Sequence, residues 1–108
     1  ESANTTFVVT ATQLDYFIDG VKHASITLKR GATYTFDVSD FGNAHPFRFS
    51  TTPDGTFGGG TAFNDGVTYV DEGTITWTVP ENLSASVMYY YCTIHAGMAG
   101  SGVISITD

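Results

Sequence analysis

Cys92, His95 and Met98 stand in one short run, Tyr91-Cys92-Thr93-Ile94-His95-Ala96-Gly97-Met98, with two residues between each and the next. Thiolate, imidazole and thioether are donors that soft metal ions prefer, and Cys92 is the only cysteine of the chain. One further imidazole would complete the two-histidine, one-cysteine plane with a weak axial methionine that suits a one-electron copper centre. His45, in Asn43-Ala44-His45-Pro46-Phe47, is the candidate for it. The chemistry asks for these types. A deprotonated cysteine gives an electron-rich metal–sulfur bond, two neutral imidazoles fill the plane, and a distant thioether favours the reduced ion.

Each residue also has a plainer reading. A cysteine three residues before a histidine could be half of a zinc site, but such sites need a second Cys or His pair. No second cysteine exists. His23, in Val21-Lys22-His23-Ala24, has polar neighbours and no ligand spacing, and reads as a surface residue. Cys92 could be a nucleophile with a histidine base, yet a histidine three residues on, in one strand-end loop, suits shared ligation better. Cys92 could be a buried thiol, Met98 a core filler like Met88, and His45 a hydrogen-bonded core histidine. Taken jointly, the spacing and the Tyr89-Tyr90-Tyr91 run before it favour a metal site.

These residues need a rigid frame, and the pattern around them is a frame of strands. Helical periodicity is nearly absent. Short runs rich in Thr, Val, Ile, Tyr and Phe alternate and are broken by Gly, Asp, Asn and Pro, as in a sandwich or barrel. Strands are expected at 5–12, 16–18, 25–28, 33–38, 45–49, 67–70, 74–79, 87–92 and 103–106. Asp19-Gly20 marks a tight turn and Lys29-Arg30-Gly31 another. Tyr34, Phe36 and Val38 share one face, as do Ile75, Trp77 and Val79, and His45, Phe47 and Phe49. Residues 87–92 are apolar throughout, as a central buried strand would be. Residues 50–66 form a long loop with Gly58-Gly59-Gly60, and 80–86 a connector with room for one helical turn.

Composition limits the function. The 108 residues are 42% apolar with 8 Phe, 6 Tyr and 1 Trp, enough for one domain spanning 1–108 with its own core. No run approaches the ~20 apolar residues of a membrane span. Glu1-Ser2-Ala3-Asn4 carries no signal-peptide pattern. With 4 basic against 11 acidic residues and a net charge of -7, the chain lacks the basic patch that nucleic acid requires. The acidic residues are scattered, which serves solubility; steering toward a basic partner is the sharper alternative. Asp71-Glu72 is the one adjacent acidic pair expected to matter for it.

The segment Tyr89 to Gly100, followed by Val103-Ile104-Ser105-Ile106, resembles the C-terminal copper loop and last strand of the plastocyanins, and its two-and-two spacing is most similar to amicyanin. Ile26 to Phe36 resembles the strand–turn–strand that precedes the first histidine ligand in these cupredoxins. The resemblance implies an all-β, Greek-key sandwich of about eight strands. It implies one type 1 copper held by His45, Cys92, His95 and Met98. His45-Pro46-Phe47 also resembles a segment of multicopper oxidases, but Arg48 and Ser50 stand where those enzymes carry further histidines, which disfavours oxygen chemistry.

Many cupredoxins place Asn after the first histidine, and its backbone N–H points at the cysteine sulfur. Pro46 has no N–H. The Ile94 N–H is expected to replace it, so that Ile94→Pro would lower the reduction potential.

The function implied is one-electron transfer between redox proteins, not enzymatic catalysis. His95 would be the electron port. Ala96, Gly97 and Met98, with Phe57 or Phe63, would form a small apolar docking patch suited to brief encounters. The partner would carry a basic docking surface, the chain would be a monomer, and the location would be periplasmic or extracellular. The alternative is a copper-binding module of a larger extracellular or particle-surface protein, which His45 to Thr52 and the Gly-rich loop after it resemble.

Overall fold

Alternation decides where the strands run. The computed structural model describes residues 4–12, 14–41, 45–71 and 73–108. Glu1 to Ala3, Asn43 and Ala44 before His45, and Glu72 of the acidic pair lie outside them. Among the described residues ten strands form: β1 Asn4–Ala11, β2 Tyr16–Ile18, β3 Val21–Lys22, β4 Ile26–Lys29, β5 Thr33–Asp37, β6 Phe47–Ser50, β7 Val67–Asp71, β8 Thr74–Thr78, β9 Val87–Cys92 and β10 Ile104–Thr107. The count exceeds the expected eight partly because Asp19 and Gly20, both at positive φ (51° and 82°), turn the chain into a small β2–β3 hairpin.

The strands make two sheets, one six-stranded in the order β3-β2-β1-β5-β8-β7 and one four-stranded in the order β4-β10-β9-β6. Both are mixed. β1 runs parallel to β5 and β10 parallel to β4, while the other pairs are antiparallel. The inward faces match the alternation. Tyr34 and Phe36 of β5 with Val38 just past its end, and Ile75 and Trp77 of β8 with Val79 just past its end, are all buried. They meet Phe47, Phe49, Met88 and Tyr90 of the facing sheet in one core. Phe49 stacks on Trp77 with ring centroids 4.5 Å apart, and on Phe36 edge-on at 5.2 Å. Each such side chain contributes about 1.5–3 kcal/mol on burial, so the aromatic layer is what holds the two sheets together.

Three local expectations change. The sixth strand starts at Phe47 rather than His45, because Pro46 has no N–H to give a ladder. The long loop carries a short 3₁₀ helix, Gly55–Gly58, docked under β9. Gly55 has φ +52°, and a side chain there would collide with the ring of Tyr91. The connector at 80–86 has no helical turn. A Leu83 N–H bond to the Pro80 carbonyl (3.2 Å) closes a turn, and Arg30 holds the segment by donating from Nε to the Leu83 carbonyl (2.8 Å) and from Nη2 to that of Ala85 (3.1 Å).

Candidate metal centre

The pairing of β6 with β9 sets Phe47 opposite Cys92 at the end of the four-stranded sheet. Beyond that pair the two chains part. A Thr93 N–H bond to the Pro46 carbonyl, 3.3 Å, is the last backbone link between them among the described residues. His45 therefore sits just past the end of β6, and Cys92 is the last residue of β9, where the sequence run toward His95 begins. In a ladder, residues on one face of neighbouring strands lie within reach of each other, so the register brings two chemistry-bearing side chains together from 47 residues apart.

Their donor atoms converge. His45 Nδ1 lies 4.0 Å from Cys92 Sγ, His95 Nδ1 lies 3.6 Å from it, and the two Nδ1 atoms are 3.2 Å apart. A point equidistant from all three lies about 2.1 Å from each, which is the length of a metal–nitrogen bond and slightly under that of a metal–sulfur bond. The donor set therefore fits a single soft-to-borderline ion. Among the described residues this is the one group of three such side chains whose ligand atoms come this close. Cys92 is fully buried, His45 half-buried and His95 exposed, so the centre is reached from solvent through His95. Burial, and then the neighbouring His95, hold the His45 imidazole below its usual pKa, which favours the neutral form a metal needs.

Met98 occupies the end of the same run and is fully buried. It therefore cannot belong to an exposed docking patch, as the sequence suggested. Phe63 is also unsuited to that role: its N–H bonds the Phe49 carbonyl and its ring packs edge-on to Trp77 at 6.0 Å. The exposed apolar groups of this region are Ile94, 57% exposed, and Phe57, 46% exposed, together with Ala96 and Gly97.

The sulfur's surroundings differ from expectation as well. Among the described residues no backbone N–H bonds Cys92 Sγ, and that of Ile94 does not take the place of the one Pro46 lacks. Where oxidases carry additional histidines, Arg48 lies over the Tyr69 ring at 4.2 Å, and Ser50 is buried with its hydroxyl bonded to the Thr61 carbonyl.

Three further residues shape the centre without any signal in the sequence. Tyr16, fully buried on β2, donates its hydroxyl to the His45 carbonyl (2.8 Å), and its N–H bonds the Met98 carbonyl (2.8 Å). Burial, and then the nearby Cys92, push its phenol far above the usual range, so the donor proton is kept. Asp54, in the long loop, accepts the Gly97 N–H with both carboxylate oxygens, at 2.9 and 3.1 Å. His23 is not a free surface residue. Its Nε2 lies 2.7 Å from Asp15 Oδ1, and its ring lies against Gly100, two residues beyond the ligand run. It takes no part in the donor cluster.

The backbone as a whole superposes on rusticyanins. Rusticyanin from Thiobacillus ferrooxidans, solved at 1.27 Å, matches with a TM-score of 0.60 and 20% identity, covering 99% of this chain and 79% of its own. Reduced rusticyanin at 1.9 Å matches with a TM-score of 0.59 and 19% identity, over 99% and 81%. The copper protein rusticyanin solved by anomalous scattering matches at 0.59 and 20%, over 99% and 80%. The fold is the cupredoxin β-sandwich. No protein-family model matches the sequence, and no curated protein matches it. The cupredoxin fold is thus legible here through backbone geometry, at an identity where side-chain roles must be argued from this chain's own residues. No helix among the described residues is long and apolar enough to cross a membrane.

Proposed function

We propose that this protein is a one-electron carrier whose His45, Cys92, His95 and Met98 would hold one copper ion in a type 1 site. The observation that carries the reading is the triangle of Cys92 Sγ and the two histidine Nδ1 atoms, no side longer than 4.0 Å, on a cupredoxin scaffold. Copper bound there would alternate between its +1 and +2 states and so take up and release a single electron. Cys92 supplies the thiolate, and its burial keeps solvent and oxidants from the sulfur. His45 supplies a neutral imidazole from the half-buried side. His95 supplies the second and, being exposed, is the edge through which a partner would exchange the electron. Met98 supplies a buried thioether from the end of the same run, in keeping with a closed site that has no position reserved for substrate. That closure supports a carrier rather than an enzyme.

The partner we propose is a redox protein that docks over His95, Ala96 and Gly97, with Ile94 and Phe57 at the rim. The net charge of -7 favours a partner with a basic surface. A location outside the cytoplasm goes with this reading, as does a monomeric carrier.

Addition of Cu(II) to the metal-free protein tests it. An intense visible thiolate-to-copper band, reversible in voltammetry and abolished by Cys92→Ala, is the expected result. A Cys92→Ala protein that kept the band would end the assignment.

A further inference from the structure

The two ligand segments arrive from different directions, and the ladder between them stops short of both His45 and Met98. β6 begins at Phe47, and among the described residues the last backbone link from the β9 side reaches only the Pro46 carbonyl. His45 and Met98 are both held instead by a residue of the opposite sheet. The Tyr16 hydroxyl donates to the His45 carbonyl at 2.8 Å, and the Tyr16 N–H donates to the Met98 carbonyl at 2.8 Å.

We propose that Tyr16 is a positioning residue that ties His45 to the Cys92–Met98 run and so preforms the metal site. The proposal rests on the copper reading above and specifies which group of this chain makes its donors converge.

The ring of Tyr16 has no freedom to let go. It is fully buried, edge-on to Phe47 at 5.0 Å, and tilted against Phe41 at 5.5 Å and Tyr90 at 6.1 Å. Phe41 in turn stands edge-on to the His45 ring at 6.0 Å. The hydroxyl therefore meets the His45 carbonyl from a fixed direction, and Phe41 limits how the imidazole can swing. The backbone of Tyr16 is fixed in the same way. It pairs with Ala11 across the β1–β2 ladder, and its carbonyl accepts the His23 N–H at 3.0 Å. A single rigid residue thus references both ligand segments to the six-stranded sheet. Groups that orient a ligand without touching the metal are commonly worth 10–100-fold in affinity, because a site that must be assembled on binding charges that ordering against affinity.

Tyr16→Phe removes the hydroxyl and keeps the ring packing. Tyr34→Phe is the matched control: it removes a buried tyrosine hydroxyl of the same core, one that accepts the Lys29 N–H at 2.8 Å and touches no ligand segment. Copper affinity is measured by chelator competition on the full chain, with the visible spectrum of each loaded protein. The expected result is that Tyr16→Phe binds copper about tenfold more weakly with a displaced or broadened thiolate band. Tyr34→Phe is expected to match the wild type in both. Equal affinity and an unchanged band in Tyr16→Phe would overturn the proposal, as would an equal loss in Tyr34→Phe. A wild type without the band overturns the copper reading and this proposal with it, whereas a normal wild type beside a silent Tyr16→Phe overturns this proposal alone. Should Tyr16→Phe not fold, amide exchange in the metal-free wild type decides. A Tyr16 N–H as protected as the core strands supports the tie to Met98, and rapid exchange there refutes it.

Discussion

Asp54 grips the backbone of Gly97 with both carboxylate oxygens, at 2.9 and 3.1 Å, across 43 residues of sequence. The contact fixes the ligand run between His95 and Met98, where Gly97 turns the chain at φ +79°. It also sets a carboxylate against the loop that joins His95 to Met98. A nearby carboxylate stabilises the more positive ion, so Asp54→Asn is expected to raise the reduction potential. The change is on the order of 40 mV if the charge is worth about 1 kcal/mol at the proposed ion. One carbonyl oxygen remains to accept the N–H, so the loop keeps its shape. Voltammetry of the two proteins reads the difference, and a lowered potential would refute the electrostatic account.

Gly100 faces the ring of His23, which is itself paired with Asp15 at 2.7 Å. A methyl group there would overlap the imidazole, and the backbone sits at φ +55°. Gly100→Ala is expected to destabilise the fold by about 1–3 kcal/mol through crowding and backbone strain. Urea denaturation of the metal-free protein measures it. A stability equal to the wild type would mean that the His23 ring does not rest on Gly100.

Ile94 is 57% exposed and its N–H makes no bond to the Cys92 sulfur. Ile94→Pro therefore removes no sulfur hydrogen bond, contrary to what the missing N–H of Pro46 suggested. The reduction potential of the variant is expected to match that of the wild type. A clear drop would reinstate the bond.

The two imidazoles face each other at 3.2 Å, and protonating both would set two positive charges against one another. Burial and His95 accordingly depress the pKa of His45. The unfolded chain takes up that proton near pH 6.5, above the pH at which the folded chain does. Stability from this group is therefore complete above about 6.5 and is lost as pH falls through the folded-state value. Thermal melts of the metal-free protein between pH 7.5 and 5 are expected to show this decline, and His45→Gln to flatten it. An identical slope in the variant would assign the loss to other groups.

Much of the frame was legible because strand chemistry is local. The alternation in Thr33–Asp37 and Thr74–Thr78, and the Asp19-Gly20 turn, depend on neighbours one or two residues away, and the inward faces followed from them. The strand begins at Phe47, two residues later than the apolar pattern from His45 implies, because Pro46 offers no N–H to the ladder. The helical turn imagined at 80–86 gave way to bonds from Arg30, a partner some fifty residues off that no local pattern can announce.

Residue types and short spacing alone nominated the donors: one cysteine, an imidazole and a thioether in seven residues, and a second imidazole before an apolar strand. That much is written in the chain, since ligand chemistry belongs to side chains. Whether His45 reaches Cys92 depends on the β6–β9 register, and which groups steady it depends on Tyr16, Asp54 and the packing between sheets. Those contacts join residues 29 and 43 positions apart, and only the closing of the core brings them within bonding distance.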